Sequence, residues 1–204
     1  MITSYNYEGK TKEELLEKCL NELGVEETDL YIKESSQEGG LFKSKKYQIT
    51  CYKKEDVISY IKEYVDEIAK NMDIDIKSEI KEVNDSINVI LVSDKNPVLI
   101  GKEGRTLKSL ETLIRQSVLA QTDINIKVNL DVANYKAKKV KNMQYQVKQI
   151  AREVLKSHVD AKLDPMNSYE RRVIHTLISE YYNLCTESVG EEPNRCIVIK
   201  YKED

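Results

Sequence analysis

Long apolar runs are missing from this chain. Nothing in its 204 residues approaches the eighteen or so needed to cross a bilayer as a helix. The first twenty, "MITSYNYEGKTKEELLEKCL", lack the basic-then-apolar layout of a secretion signal. The expectation is a cytoplasmic protein with no direct membrane insertion. Cysteine and histidine are scarce as well. Cys19, Cys51, Cys185 and Cys196 show no C-x-x-C spacing, and only two histidines exist to join them. Neither a zinc site nor a disulfide framework is indicated, so no metal and no cofactor is expected. With seven glycines and three prolines there is no Gly/Ser/Pro-rich linker and no segment of low complexity. A chain of this length holds one or two ordinary domains, or three small ones that share surface.

What is abundant is charge, at 33% of residues, and its distribution is uneven. Residues 1–54 carry 9 basic and 10 acidic groups, residues 55–132 carry 10 and 15, and residues 133–204 carry 13 and 10. The regional net charges are therefore −1, −5 and +3, which puts the positive potential at the C-terminal end. There "NYKAKKVKNMQYQVKQIAR" holds six cations and no acid. Such a stretch is either an electrostatic footprint for an anionic polymer or a solvated helix face.

Hydrophobic periodicity predicts a mixed α+β protein of three small α/β units. In the first, residues 1–54, a strand at 2–7 precedes the helix "KTKEELLEKCLNELG", with Leu15, Leu16, Cys19, Leu20 and Leu23 inward and Gly24 as its stop. Strands "DLYIKES" and "KYQITCY" follow, joined by "SQEGGLFKSK", in a β-α-β-β order. Leu41 and Phe42 in that loop either anchor a partner or pack on their own domain. The second unit, 55–132, opens on the helix "EDVISYIKEYVDEIAKNM", with Val57, Ile58, Ile61, Tyr64, Val65 and Ile68 at helical spacing. A hairpin, "IDIKSEIKEV" and "INVILVS" around "NDS", comes next. Asn96 caps a short helix with Pro97 at its first position, and a second helix over 105–120 buries Leu107, Leu110, Leu113, Ile114 and Val118. Strand "INIKVNLDV" closes the unit. The third unit, 133–204, starts with a long helix to about residue 157. A second helix begins at the Asn167/Glu170 capping box, and "LCTESV" and "RCIVIKY" end it as strands.

Between the consecutive helices of the second unit lies "LIGKEGRTL". Two glycines allow positive φ and close backbone approach, while the following helix offers unpaired N–H groups and its positive dipole end. A bare G-x-x-G is weak evidence, but the α-β-β-α-α-β order around it resembles the KH domain in its prokaryotic, type II arrangement. KH modules clamp about four nucleotides of single-stranded backbone at this loop. The resemblance implies that Gly101, Lys102, Glu103 and Gly104 face sugar-phosphate, that Ile100 and Leu107 floor a groove for bases, and that Arg105 and Lys108 add charge. Glu103 departs from the usual basic or small residue and is expected to weaken contact with phosphate.

In the third unit Arg171 and His175 stand four apart on one helical face, away from the stripe of Val173, Ile174, Leu177 and Tyr181. Together "DPMNSYERRVIHTLISE" and "GEEPNRCIVI" resemble the R-three-H domain, named for its Arg-x-x-x-His pair, which binds single-stranded nucleic acid. By that resemblance Arg171, His175 and Arg195 take phosphates, with Arg172 a weaker candidate. Glu170 caps the helix, and the Glu191-Glu192 pair orients arginines.

The order of a small β-α-β-β domain, a type II KH domain and an R-three-H domain resembles the bacterial Jag family, also called KhpB or SpoIIIJ-associated protein, over essentially the whole chain. The resemblance implies a regulator of cell elongation and division that binds single-stranded RNA, or ssDNA. It also implies pairing with a smaller single-KH protein, KhpA, or as a homodimer. The N-terminal Jag domain is then expected to contact the membrane insertase or cell-wall proteins, which would recruit the chain to the inner face of the membrane or the septum. Some relatives carry a long charged linker with a phosphorylated threonine. Here "YQITCY" runs almost directly into "EDVISY", so a rigid junction is expected instead. Two weak sites in series gain affinity through effective concentration. The rival expectation is a protein-interaction scaffold in which RNA is secondary. Catalysis is not expected, because no nucleophile or metal set accompanies His175.

Overall fold

The computed structural model describes residues 1–37 and 46–203. The chain divides into two compact units, Met1–Ala133 and Asn134–Asp204. The Leu41-Phe42 pair lies outside the described residues.

The first unit carries two three-stranded sheets. In the leading one, β1 (Tyr5–Gly9), β2 (Leu30–Gln37) and β3 (Lys46–Lys53) pair antiparallel in the order β1-β3-β2. The helix α1 (Lys12–Leu23) covers one face. Thr11 caps it by accepting the Glu14 N–H, and Gly24 ends it at φ 63°, a left-handed conformation that costs glycine nothing. Of the five side chains expected inward, Leu15 and Cys19 are fully buried, against Tyr7, Leu30, Ile49 and Cys51.

β3 passes straight into α2 (Lys54–Asn71), with no residue between them. Lys54 Nζ meets Glu82 Oε1 at 2.6 Å and lies over the Tyr31 ring, 5.3 Å from its centre, while the Tyr31 hydroxyl donates to the same carboxylate at 3.4 Å. Both charged side chains are about four-fifths buried, at 18% and 20% exposure, so this tie is screened less than a surface pair. Burial, followed by the Glu82 charge, pushes the Tyr31 hydroxyl well above its ordinary range.

The second sheet is built from β4 (Ile76–Val83), β5 (Ser86–Ser93) and β6 (Lys127–Val132), in the order β4-β5-β6. The β4–β5 hairpin turns on Asn84 and Asp85, both at positive φ, as a two-residue primed turn requires. β5 and β6 are parallel, so the chain must cross over between them. It does so through α3 (Asn96–Ile100) and α4 (Arg105–Thr122). Ile87, Val89, Leu91, Leu99, Leu107, Leu110, Ile114, Val118 and Leu130 are among the buried side chains of this layer. Two expectations need correction. Leu113 is 51% exposed, because Leu110, Ile114 and Val118 already define the buried stripe and residue 113 falls beside it. Asn96 is not the helix cap. It is the first helical residue, and its Oδ1 accepts the Ser93 N–H at 2.9 Å, closing the exit of β5.

In the second unit α5 (Tyr135–Ser157) and α6 (Ser168–Ile178) cover a sheet of β7 (Ala161–Lys162), β8 (Leu184–Val189) and β9 (Cys196–Tyr201), ordered β7-β9-β8. Its core is Val147, Ala151 and Val154 from α5, Ile174, Leu177 and Ile178 from α6, and Leu184, Ile197 and Ile199 from the sheet. The two-residue β7 carries no periodic signal and is an addition to the expected strands. The capping box is present in both directions: Asn167 Oδ1 accepts the Glu170 N–H and Glu170 Oε2 accepts the Asn167 N–H. The fold is α+β throughout, and no helix among the described residues is long and apolar enough to cross a membrane.

Cys185 is exposed while Cys19, Cys51 and Cys196 are buried. Burial, and then its contact with Cys19, pushes the Cys51 thiol from 9.0 up to about 12. A pKa raised on folding supplies stability that is complete below the unfolded value and is lost as pH rises through the folded one. The native protein at about pH 8 should therefore alkylate at Cys185 alone, read by mass spectrometry. Circular dichroism should show stability falling between pH 9.0 and about 12, with a smaller fall in Cys51→Ala.

Candidate nucleic-acid interface

Two surfaces carry the residues that the sequence singles out, one in each unit. The first is the turn between α3 and α4. The Gly101 N–H donates to the Pro97 carbonyl at 2.9 Å, ending α3, and Gly101 itself sits at φ 69°, ψ −179°. That region is essentially closed to residues with a Cβ. A Cβ there would also stand 2.1 Å from Thr106 Oγ1. Gly101 is thus demanded by the turn itself, whatever the turn binds. Glu103 and Gly104 follow at φ 57° and 83°, so three of the four loop residues are left-handed or beyond.

Lys102, Glu103, Arg105 and Lys108 are exposed around the N-terminus of α4. The Glu103 carboxylate turns sideways to Arg105, Oε2 to Nη2 3.5 Å, with side chains 63% and 74% exposed. A pair so open to water is worth at most about 1 kcal/mol. Glu103 therefore tempers the local positive field without closing it. Ile100 is half-buried at the rim. Leu107 is only 2% exposed and belongs to the core beneath the loop, because it shares the buried stripe of α4. It supports the floor and is not available as its surface, which corrects the expected role.

The second surface is the edge of α6 against β8 and the turn before β9. Arg171 is held rather than free: Nη1 donates to the Met166 carbonyl at 2.6 Å and Nη2 meets Glu192 Oε1 at 2.8 Å, leaving the side chain 11% exposed. A phosphate reaches this guanidinium only through its remaining protons or by displacing Glu192. His175 is exposed, with Nδ1 2.6 Å from Thr186 Oγ1. Arg195 is exposed and its Nε donates to Ser188 Oγ at 2.9 Å. Thr186 and Ser188 stand two apart on β8, facing the same way, and so hold one candidate side chain each. Sequence reasoning did not name them, although two hydroxyls at i and i+2 in a half-buried strand were visible in "LCTESV". Arg172 points elsewhere. One residue past Arg171, it is rotated by about 100° onto the outer crest of α6, beside Tyr169 and Thr176.

A Gly101→Ala variant should lose about 1–3 kcal/mol in urea unfolding, from a forbidden backbone region and a direct clash. Arg171→Ala should cost about 1–3 kcal/mol, since it strips two charge-assisted hydrogen bonds from the 166 and 192 segments. Arg172→Ala should leave the unfolding midpoint unchanged.

Comparison with known proteins matches two family models, the KhpA/KhpB KH domain over residues 58–132 and the R-three-H domain over residues 141–201. The RNA-binding protein KhpB of Clostridium symbiosum is 35% identical over 200 residues, covering 96% of this chain and 90% of that protein. The RNA-binding protein KhpB of Bacillus subtilis (strain 168) is 30% identical over 200 residues, covering 95% and 96%. That of Streptococcus pneumoniae serotype 2 is 28% identical over 145 residues, covering 71% of this chain and 44% of the relative.

Proposed function

This chain belongs to the KhpB family, with a KH domain and an R-three-H domain, and from that premise we propose that it binds single-stranded RNA through the α3–α4 turn and the α6–β8 edge. The observation that carries the reading is the Gly101–Gly104 turn. Its backbone opens toward solvent at the positive end of an 18-residue helix, with Lys102, Arg105 and Lys108 around it. Ile100 lies where a base would rest, and Gly101, Lys102 and Gly104 face the sugar-phosphate. At the second surface His175 and Arg195 supply hydrogen bonds to phosphate, and Arg171 contributes chiefly by positioning Glu192 and the Met166 segment. Two modest sites on one chain reinforce each other through effective concentration.

The finer role that fits is regulation of cell elongation and division, with a KhpA-type KH protein or a second copy as partner, and protein contacts made by the leading sheet at the membrane insertase or cell-wall machinery. Binding is the activity proposed, in keeping with the RNA-binding relatives. A scaffold role in which RNA is secondary draws support from one feature. Ile90 and Val92 are exposed on the outer face of β5, at 37% and 47%, as side chains at a protein contact would be.

Titration of a short single-stranded RNA across a salt series tests the reading. Each phosphate contact removed should take about 0.7 off the slope of log affinity against log salt. Lys102→Asp should weaken binding about tenfold at low salt, and Glu103→Lys should tighten it by a similar factor. Paired His175→Ala and Arg195→Ala should lower the slope independently. Equal binding by every variant would sink recognition at these surfaces. Negligible binding by the intact protein would favour the scaffold.

A further inference from the structure

Beside the Arg171–His175 edge, on the other flank of α6, a groove of about 320 Å³ runs between α6 and α5. Val173 and Leu177 floor it, and Gln144, Tyr169, Arg172 and Glu180 form its rim. We propose that this groove is a base-stacking subsite, in which a nucleobase of bound single-stranded RNA lies against the Tyr169 ring. The inference rests on the RNA-binding reading above and adds to it where the base goes.

Four observations support it. Tyr169 is 62% exposed in the first turn of α6, a large aromatic surface with one face open to solvent. A ring in that state is the usual platform for single-stranded bases, since every base offers a π-face. Second, the groove sits at the small end of ligand pockets, so it suits a single planar ring rather than a folded cofactor. Third, its rim carries one guanidinium and one carboxylate, with an amide on the third side. That near-neutral set disfavours a phosphate inside, while Gln144 both donates and accepts, as the edge of a base requires.

The fourth observation is register. Tyr169, Arg172 and His175 stand at i, i+3 and i+6, a slanting row that rises about 9 Å along α6. Arg172 is the middle of that row, at the crest between groove and edge, and it has no ion-pair partner among the described residues. A nucleotide whose phosphate lies between Arg172 and His175 can therefore direct its base to Tyr169. On the α5 side, Lys141 and Lys148 flank Gln144, three residues before it and four after, and both are exposed. The groove thus lies between two cationic borders, as a path for a polyanion that carries neutral bases would.

The chain contains no tryptophan, so Tyr169→Trp introduces a single reporter. Its emission should be quenched by a single-stranded RNA of about ten nucleotides and unaffected by heparin, a polyanion without bases. Tyr169→Ala should lower RNA affinity about fivefold or more with the salt slope unchanged, and Tyr169→Phe should restore it. Arg172→Ala should instead reduce the slope by about 0.7. Suppose that His175→Ala and Arg195→Ala weaken binding, but Tyr169→Ala does not and the reporter stays silent. The subsite is then wrong while the RNA-binding reading stands. Equal quenching by heparin also overturns the subsite, and failure of the intact protein to bind RNA overturns both.

Discussion

Glu170 is a carboxylate withdrawn from water, 8% exposed, in the first turn of α6. A charge so placed destabilises the fold unless it is matched on every side. It is matched by the Asn167 N–H at 3.1 Å and by Lys139 Nζ of α5 at 2.8 Å. The order of the C-terminal surface follows from it. Glu170 fixes the first turn of α6, and that turn places the Met166 segment. The Met166 N–H donates to the Arg195 carbonyl while the Met166 carbonyl takes Arg171. Arg171 then holds Glu192, one turn away from Arg195 in sequence. Arg171 and the backbone of Arg195 are thus tied to a polar chain that includes one buried acid, while the His175 and Arg195 side chains are held from β8 by Thr186 and Ser188.

The two candidate surfaces are built by different means. At the α3–α4 turn the defining feature is the backbone. The conformations of Gly101, Glu103 and Gly104 open the loop, and side chains merely tune the field. At the α6–β8 edge the defining features are side chains, with His175 and Arg195 each against a hydroxyl and Arg171 against a carboxylate. Both places keep an acid beside a cation, Glu103 by Arg105 and Glu192 by Arg171. Such pairs reduce the local positive field.

How much of this the sequence disclosed depended on whether the signal was local. The Asn167/Glu170 capping box, the Gly24 stop and the Asn84-Asp85 turn are rules of short range, and each is found where the sequence places it. The α-β-β-α-α-β order is legible because every strand and most helices in it are long enough to show their period. β7 is two residues long and exists only because β9 offers it an edge. Leu113 reads as inward because it neighbours Ile114, yet only the observed stripe of α4 shows which of two adjacent apolar positions faces the sheet. For the candidate site residues the sequence names positions but not surroundings. That Arg171 is clasped by Glu192, that Leu107 lies below the surface and that Arg172 stands on a different flank all depend on contacts between segments distant in sequence.

The direct passage from β3 into α2 adds one more consequence. The last residue of a strand in the leading sheet is followed at once by the first residue of a KH helix, and Lys54, Glu82 and Tyr31 clasp the joint. A partner that grips the leading sheet has no slack to take up before the KH domain moves with it. A tethered domain forgives a poorly placed target by wandering to meet it, at an entropic cost that depends on tether length. A welded one does not wander. Whatever holds the leading sheet also sets the direction of the α3–α4 turn, so the placement of one and the aim of the other become a single geometric condition.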